Sequence, residues 1–393
     1  MSTSSRHHLT KSKTDHTRPR VLIVQPVVPH YRVRLYELIY QRLQQVGIEL
    51  QVAYGTPNVE QAAKRDLIDL PKSIGLKVKN YWFFGGKLLY QPIFWQMLSA
   101  DRVIVLNANG HILNYLIALA GLWGRRNLAF WVWWPSSRAN TGSFKERIRQ
   151  QLMKTGNWWF AYTSGTRNYL LLDGIPSAQI TVLNNSVDVS GFREMLTAIG
   201  ATELSNFATL LGIPNGVPIG LFCGGLYDDK RLDFLLEAVK LIQADCPDFH
   251  LLVLGDGIRR DLVSQADASD HRIHYLGPCF TMEKALCFRL AEVFLCPGLV
   301  GLAILDAFAA GLPLITTNIP IHSPEIEYLC DGVNGLLVAN DSRAYANAVI
   351  SLLKSPSTLR RLSSGALASS RQYSIESMAN QYAEGIIASL KRS

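Results

Sequence analysis

The sequence predicts an α/β protein built as two doubly wound domains in tandem. Short apolar runs alternate with helix-like segments along the chain, the pattern of βα units around parallel sheets. The alternation breaks once, in a turn-rich stretch near the middle, and then resumes. A chain of 393 residues also exceeds what one core supports, since single cores stop growing near ~250–300 residues.

The first domain is read over residues 21–190. Val21 to Gln25 is a buried strand, followed by a Pro/His/Tyr loop and a helix from about Tyr31 to Val46. Ile48 to Tyr54 is a second strand. Arg102 to Leu106 and Leu128 to Trp133 are further buried strands, with a helix over Leu113–Leu122 between them. Trp158 to Thr163 and Gln179 to Leu183 follow, the last ending in Asn184-Asn185-Ser186-Val187-Asp188. Residues 191–217 are read as the linker: a helical stretch running into Gly212, Pro214, Asn215, Gly216 and Pro218.

The second domain, 218–372, alternates more regularly. Its strands are Ile219–Cys223, His250–Leu254, His274–Leu276, Val293–Cys296 and Leu314–Thr316. Its helices are Arg231–Ile242, Arg259–Gln265, Met282–Leu290 and Leu302–Ala310. Ser374–Lys391 is an amphipathic helix with Ile375, Met378, Tyr382, Ile386 and Leu390 on one face. The terminal segment 373–393 is expected to pack back on the N-terminal domain.

Composition narrows the class. Charged residues are 18% of the chain, below the usual ~25%, a balance common in proteins that touch membranes or lipid substrates. Part of the net charge of +8 sits in residues 1–20, a Ser/Thr/His-rich basic segment read as a disordered tail without the apolar core of a signal peptide. The apolar stretch Ile112–Trp123 is too short to span a bilayer. Six cysteines without Cys-x-x-Cys spacing read as reduced core residues, with neither a metal site nor a disulfide framework. Together these point to a cytoplasmic protein. The basic residues are scattered without aromatic interleaving, which argues against nucleic acid as a partner.

Three motifs carry chemistry. In Phe222-Cys-Gly-Gly-Leu-Tyr-Asp-Asp-Lys-Arg231 a strand runs into Gly224-Gly225 and then Lys230. Glycines let a backbone approach a phosphate and the lysine supplies a point charge; a plain βα turn with a solvated lysine reads the same. Leu252-Val-Leu-Gly-Asp-Gly257 ends a strand in part of a dinucleotide fingerprint, without its third glycine. Pro297-Gly-Leu-Val-Gly301 is a glycine loop feeding an Ala-rich helix whose amides would face an anion, with Asp306 inside the apolar helix. An acid there needs a partner, and a diol suits it as well as solvent does.

These pieces, in this order, resemble the retaining GT-B glycosyltransferases of the large glycogen-synthase-like and sucrose-synthase-like family. The likeness is strong over residues 180–345 and rests on Gly224 to Lys230, Gly255-Asp-Gly257, Tyr275-Leu-Gly277, Gly301 to Pro313 and Asp331-Gly-Val-Asn-Gly335. The first domain matches weakly, through Pro29-His-Tyr-Arg32 and Tyr162-Thr-Ser-Gly165. The resemblance implies a GT-B fold and a nucleotide-sugar donor. Lys230 would touch the donor phosphates, beside Gly224, Gly225 and Arg231. Amides around Val300, Gly301 and Leu302 would meet sugar and phosphate, Asp306 the ribose, and Gly277 and Pro278 the base. Gly255 and Asp256 would form the pocket wall. Two departures stand out: the first of the family's paired acids falls on Gly298, and an arginine of the phosphate site falls on Gly225. Glu325 or Glu327, in His322-Ser-Pro-Glu325 and just beyond, would supply an acid.

The reading is thus a retaining transferase in which Lys230 stabilises the leaving diphosphate. No Asp-x-Asp is present, so neither metal nor other cofactor is called for. A glycan or lipid-diphosphate-linked acceptor is expected on the N-terminal domain, at His30, Arg32, His111 and Arg138. The basic, aromatic-ended segment Phe144–Trp159 either lies on an anionic membrane surface, making the protein peripheral on the inner face, or packs on its own domain. Competing readings are a sugar-nucleotide epimerase or a phosphorylase of similar shape, and a sugar-nucleotide-binding protein impaired by Gly298.

Overall fold

The computed structural model describes residues 18–58, 67–85, 88–106, 127–133, 151–320 and 322–392. Most of the basic tail, the expected helix at 113–122, His111, Arg138 and the first half of the 144–159 segment lie outside these residues.

The N-terminal domain is a seven-stranded parallel sheet. Its strands are β1 (Arg20–Val24), β2 (Glu49–Gly55), β3 (Gly75–Val78), β6 (Arg102–Leu106), β7 (Leu128–Val132), β8 (Trp158–Ala161) and β9 (Ile180–Val182), in the order β3-β2-β1-β6-β7-β8-β9. A hairpin of β4 (Tyr81–Phe83) and β5 (Leu88–Tyr90) stands apart. The helices around it are α1 (Val33–Gln45), α2 (Phe94–Ser99) and α3 (Ser164–Leu172). Strand β1 is buried from Val21 to Val24, as a run of Val, Leu and Ile between two layers must be.

The C-terminal domain repeats the plan. Strands β10 (Ile219–Cys223), β11 (His250–Leu254), β12 (Ile273–Gly277), β13 (Val293–Leu295), β14 (Leu314–Thr317) and β15 (Gly335–Val338) run in the order β12-β11-β10-β13-β14-β15, all parallel. Helices α4 (Ser190–Ala198), α5 (Ala201–Leu210), α6 (Leu232–Asp245), α7 (Arg260–Ser269), α8 (Thr281–Leu290), α9 (Ala303–Ala309), α10 (Ser342–Leu353) and α11 (Pro356–Gln372) cover it. In both sheets the first strand is flanked by the second and the fourth. Each therefore has a switch point where connections diverge, at β1/β6 and at β10/β13, the place where open α/β sheets generally bind ligands.

The stretch expected to be a linker is instead part of the C-terminal domain. Residues 190–210 form α4 and α5, and Val189, Phe192, Leu196, Ile199, Ala208 and Ile213 join the C-terminal core. Its run of glycines and prolines follows α5 and leads directly into β10 rather than forming a loose connector. The last helix, α12 (Ile375–Leu390), lies on the N-terminal domain, with Ile375, Met378, Tyr382 and Ile386 in one cluster with α1 and β1. The Tyr382 ring sits 5.2 Å from that of Trp131 and 4.6 Å from that of Phe160, so the chain crosses between domains twice. Leu152 and Met153, at the far end of the basic segment, pack into the N-terminal core.

Candidate functional site

The carboxyl ends of β10, β11, β12 and β13 bring most of the expected residues to one edge. Backbone bonds stitch their loops together: Gly224 N–H to Leu254 O at 3.0 Å, Leu226 N–H to Asp256 O at 2.9 Å, and Gly255 N–H to Gly277 O at 2.8 Å. Gly255 has φ +138°, and a Cβ there would meet the Gly224 carbonyl at 1.9 Å. Only glycine permits that approach. Asp256 accepts from Gly257 N–H at 2.8 Å within its own loop, and Pro278 is exposed beside Gly277.

Lys230 lies at the end of the turn Asp228–Lys230, facing the glycine loop after β13. Its Nζ donates to Leu299 O at 2.5 Å, and Leu299 N–H returns a bond to Asp229 O at 2.8 Å. One of the ammonium's three donors is thereby used and two remain. Arg231 follows in a left-handed conformation, φ 57° and ψ 50°, which is strained for a residue with a side chain. Its guanidinium lies 4.3 Å from the Phe234 ring centroid and donates to Thr317 Oγ1 at 3.3 Å.

Gly298 gains a physical reason. A Cβ on it would meet Asp229 O at 2.3 Å and Lys230 O at 2.5 Å. The acid the family resemblance leads one to expect is excluded because the lysine turn packs directly on this position.

Val300 is corrected. Its amide donates to His322 Nδ1 at 3.1 Å, and His322 Nε2 donates to Thr317 O at 2.7 Å, so the imidazole is neutral with its proton on Nε2. Burial lowers the pKa of His322 and nearby Lys230 lowers it further; the bond to Thr317 opposes them without prevailing. The Gly301 and Leu302 amides make no protein hydrogen bond among the described residues. Asp306, in the first turn of α9, pairs with Lys284 of α8, Nζ to Oδ2 2.8 Å. Its partner is thus a lysine of the protein, neither solvent nor a ligand alone.

Glu325 and Arg32 do not open on this edge. Both are buried, and they meet through Asn185: Arg32 Nη2 donates to Asn185 Oδ1 at 2.6 Å and Asn185 Nδ2 donates to Glu325 Oε1 at 2.6 Å. Arg32 also stacks 4.8 Å from the Trp131 ring centroid. Burial raises the pKa of Glu325 against the pull of Asn185 and Arg32. Glu327 accepts from Thr163 Oγ1 and from Gly165 N–H, both at 2.7 Å, at the start of α3. There a carboxylate meets unsatisfied amides and the positive end of a helix. Tyr328 O–H donates to Asn185 O at 2.9 Å. The segment Pro324–Tyr328 therefore buckles the C-terminal domain onto the N-terminal one. Of the acceptor residues expected, His30 alone is described and exposed.

Sequence reading gave no role to Lys284, His322 or Asn185. His322 and Asn185 stood inside quoted segments, but nothing local marks an imidazole as the acceptor for an amide 22 residues away. Among the described residues no group of three or more His, Cys, Asp or Glu is placed to hold a metal, and no helix is long and apolar enough to cross a membrane.

Comparison with known proteins agrees with this geometry. Residues 217–355 match the family described as Glycosyl transferases group 1. A phosphatidyl-myo-inositol mannosyltransferase of Mycobacterium leprae is 30% identical over 195 residues, 48% of this chain and 51% of that protein. A D-inositol 3-phosphate glycosyltransferase of Thermobispora bispora is 25% identical over 243 residues, 58% and 54% respectively. The chain thus spans about half the length of these relatives. A glycosyltransferase of Rickettsia africae superposes with TM-score 0.69 at 18% identity, covering 96% of this chain and 100% of that one. HepE of Anabaena in complex with UDP gives 0.67 at 16% identity, covering 94% and 99%. Identities this low establish the fold alone.

Proposed function

With a C-terminal domain that belongs to the glycosyl transferases group 1 family and a GT-B fold across its described residues, we propose that the protein is a retaining, metal-independent glycosyltransferase. It takes the sugar from a nucleoside diphosphate and passes it to a glycan or lipid-linked acceptor. The observation that carries this reading is the convergence of Lys230, Arg231 and the free Gly301 and Leu302 amides at the β10/β13 switch point. An Asp-x-Asp metal motif is not needed where two cations serve the diphosphate.

As the glycosidic bond lengthens, the anomeric carbon gains oxocarbenium character and negative charge gathers on the departing diphosphate. Lys230 keeps two ammonium protons to direct at that charge, and Arg231 adds a planar donor. Fixed donors of this kind need no reorganisation as the bond breaks, which is why they stabilise the transition state more than water does. His322, by accepting the Val300 amide, holds the glycine loop that presents the Gly301 and Leu302 amides. The relatives named as inositol-lipid and inositol-phosphate transferases support an acceptor with clustered hydroxyls, entering from the N-terminal side.

The test is thermal stabilisation by UDP, GDP, ADP and TDP, with wild type and Lys230→Ala. At least one diphosphate should raise the melting temperature of the wild type and lose most of that effect in the variant. Stabilisation by none of them ends the reading. Gly298 favours a second one, a sugar-nucleotide-binding protein without turnover. Transfer or hydrolysis of a nucleotide sugar by the wild type, abolished in Lys230→Ala, excludes it.

A further inference from the structure

Asp306 sits in the first turn of α9 with 17% of its side chain exposed. A carboxylate so enclosed needs a cation or a set of donors. It has one: Lys284, on α8, places Nζ 2.8 Å from Oδ2. The same ammonium lies 4.9 Å from the ring centroid of Phe192, on α4, and 5.6 Å from that of Phe288. Three elements therefore hold this lysine, whose side chain is 24% exposed, by an ion pair and two cation–π contacts. The Oδ1 atom makes no hydrogen bond among the described residues. The two oxygens of Asp306 are consequently unequal, one held by an ammonium and the other open.

A free carboxylate takes the two hydroxyls of a vicinal diol one per oxygen. With Oδ2 already accepting from a fixed ammonium, the two oxygens are unequal acceptors: Oδ1 keeps both lone pairs and Oδ2 only one. We infer that Lys284 is a positioning residue for donor recognition: by holding Asp306 Oδ2 it leaves Oδ1 as the stronger acceptor, so that this site reads one ribose hydroxyl of the diol more strongly than the other. The inference rests on the reading of Asp306 as the acid that meets the ribose, and it assigns α8 and α4, through Lys284 and Phe192, a part in nucleotide selection.

The experiment compares binding of UDP and GDP with their 2′-deoxy and 3′-deoxy forms, by calorimetry, to the full-length wild type and to Lys284→Met, Lys284→Arg and Asp306→Asn. In the wild type one deoxy form should bind about tenfold or more weakly and the other within about threefold of the parent. Lys284→Met should weaken the parent diphosphate and erase the difference between the two deoxy forms. Lys284→Arg should retain part of both, and Asp306→Asn should bind all three forms alike. A steric or merely structural role for Lys284 would lower affinity without touching the 2′/3′ asymmetry. Equal losses with both deoxy forms in the wild type overturn the inference without needing any variant. So does a folded Lys284→Met that keeps the parent affinity and the asymmetry. Failure of the wild type to bind either diphosphate overturns the donor-site reading, and this inference with it; binding without asymmetry overturns this inference alone.

Discussion

The two switch points of the molecule share a topology and use their cations in opposite ways. At β10/β13 Lys230 and Arg231 are half-exposed, and their contacts are a carbonyl, a hydroxyl and a ring, none of them charged. At β1/β6 Arg32 is buried, stacked on Trp131 and committed to Asn185. The first pair keeps unused donors, which the proposed function directs at a diphosphate, whereas Arg32 joins the domain contact through Asn185 and Glu325. Strand order thus supplies a place for a ligand. Whether a cation at that place is offered to a ligand or spent on structure depends on its burial and partners.

The largest effect that sharpens this contrast is catalytic. Lys230→Ala should lower kcat/KM for a nucleotide sugar by roughly 100-fold or more, as loss of a fixed electrostatic donor does, while the melting temperature hardly moves. Steady-state kinetics beside a thermal scan would read both. Arg32→Met should do the reverse on stability. It leaves Asn185 and the buried Glu325 without their cation, at a cost of about 2–4 kcal/mol, read as a lower denaturant midpoint. If Arg32→Met instead left stability intact and removed acceptor binding, the contrast between the two switch points would fail.

Gly298→Glu tests the lysine turn. Restoring the acid should weaken donor binding rather than improve it, because its Cβ collides with the Asp229 and Lys230 carbonyls. The expected loss is about 1–3 kcal/mol of stability, with loss of stabilisation by nucleoside diphosphate in the same scan.

The smallest effect lies away from both switch points. His250 Nδ1 and His274 Nε2 are 2.9 Å apart in the buried part of the C-terminal sheet, with the rings stacked. Burial lowers the pKa of His250 to about 4, helped by His274, His271 and Arg272 and opposed by Asp270. His274 is lowered too, by burial and His271 against Asp267 and Asp270. The unfolded chain then binds more protons than the folded one between the ordinary histidine value and about 4. Stability is therefore full above pH ~6.5 and falls as the pH drops toward ~4, by about 1–2 kcal/mol. His250→Asn should flatten that slope in melting curves taken across the range.

Five of the six C-terminal strands were legible almost to the residue. Ile219–Cys223 and His250–Leu254 are unbroken apolar runs because both faces of a parallel sheet are covered. Strands β3 and β15 and the β4–β5 hairpin passed unread, being three or four residues long and partly exposed. Helices α4 and α5 were read as a linker because the glycines and prolines that bound them are also what a linker contains. The residues expected at the β10/β13 edge were legible because most of them sit in loops that follow strands whose ends the sequence marks. Asn185 and Lys284 were not, since their partners lie 140 and 22 residues away.

The sequence by itself determined the tandem α/β plan, the strand ends where loops gather, and the presence there of Lys230 and the glycines. Those follow from local periodicity and from backbone geometry, which neighbouring residues encode. Only the tertiary structure decided which acids were already spoken for. It gave Glu325 and Glu327 to the domain contact, Asp306 to Lys284 and the Val300 amide to His322, because a hydrogen bond depends on distance in space and a chain does not write that distance in its order.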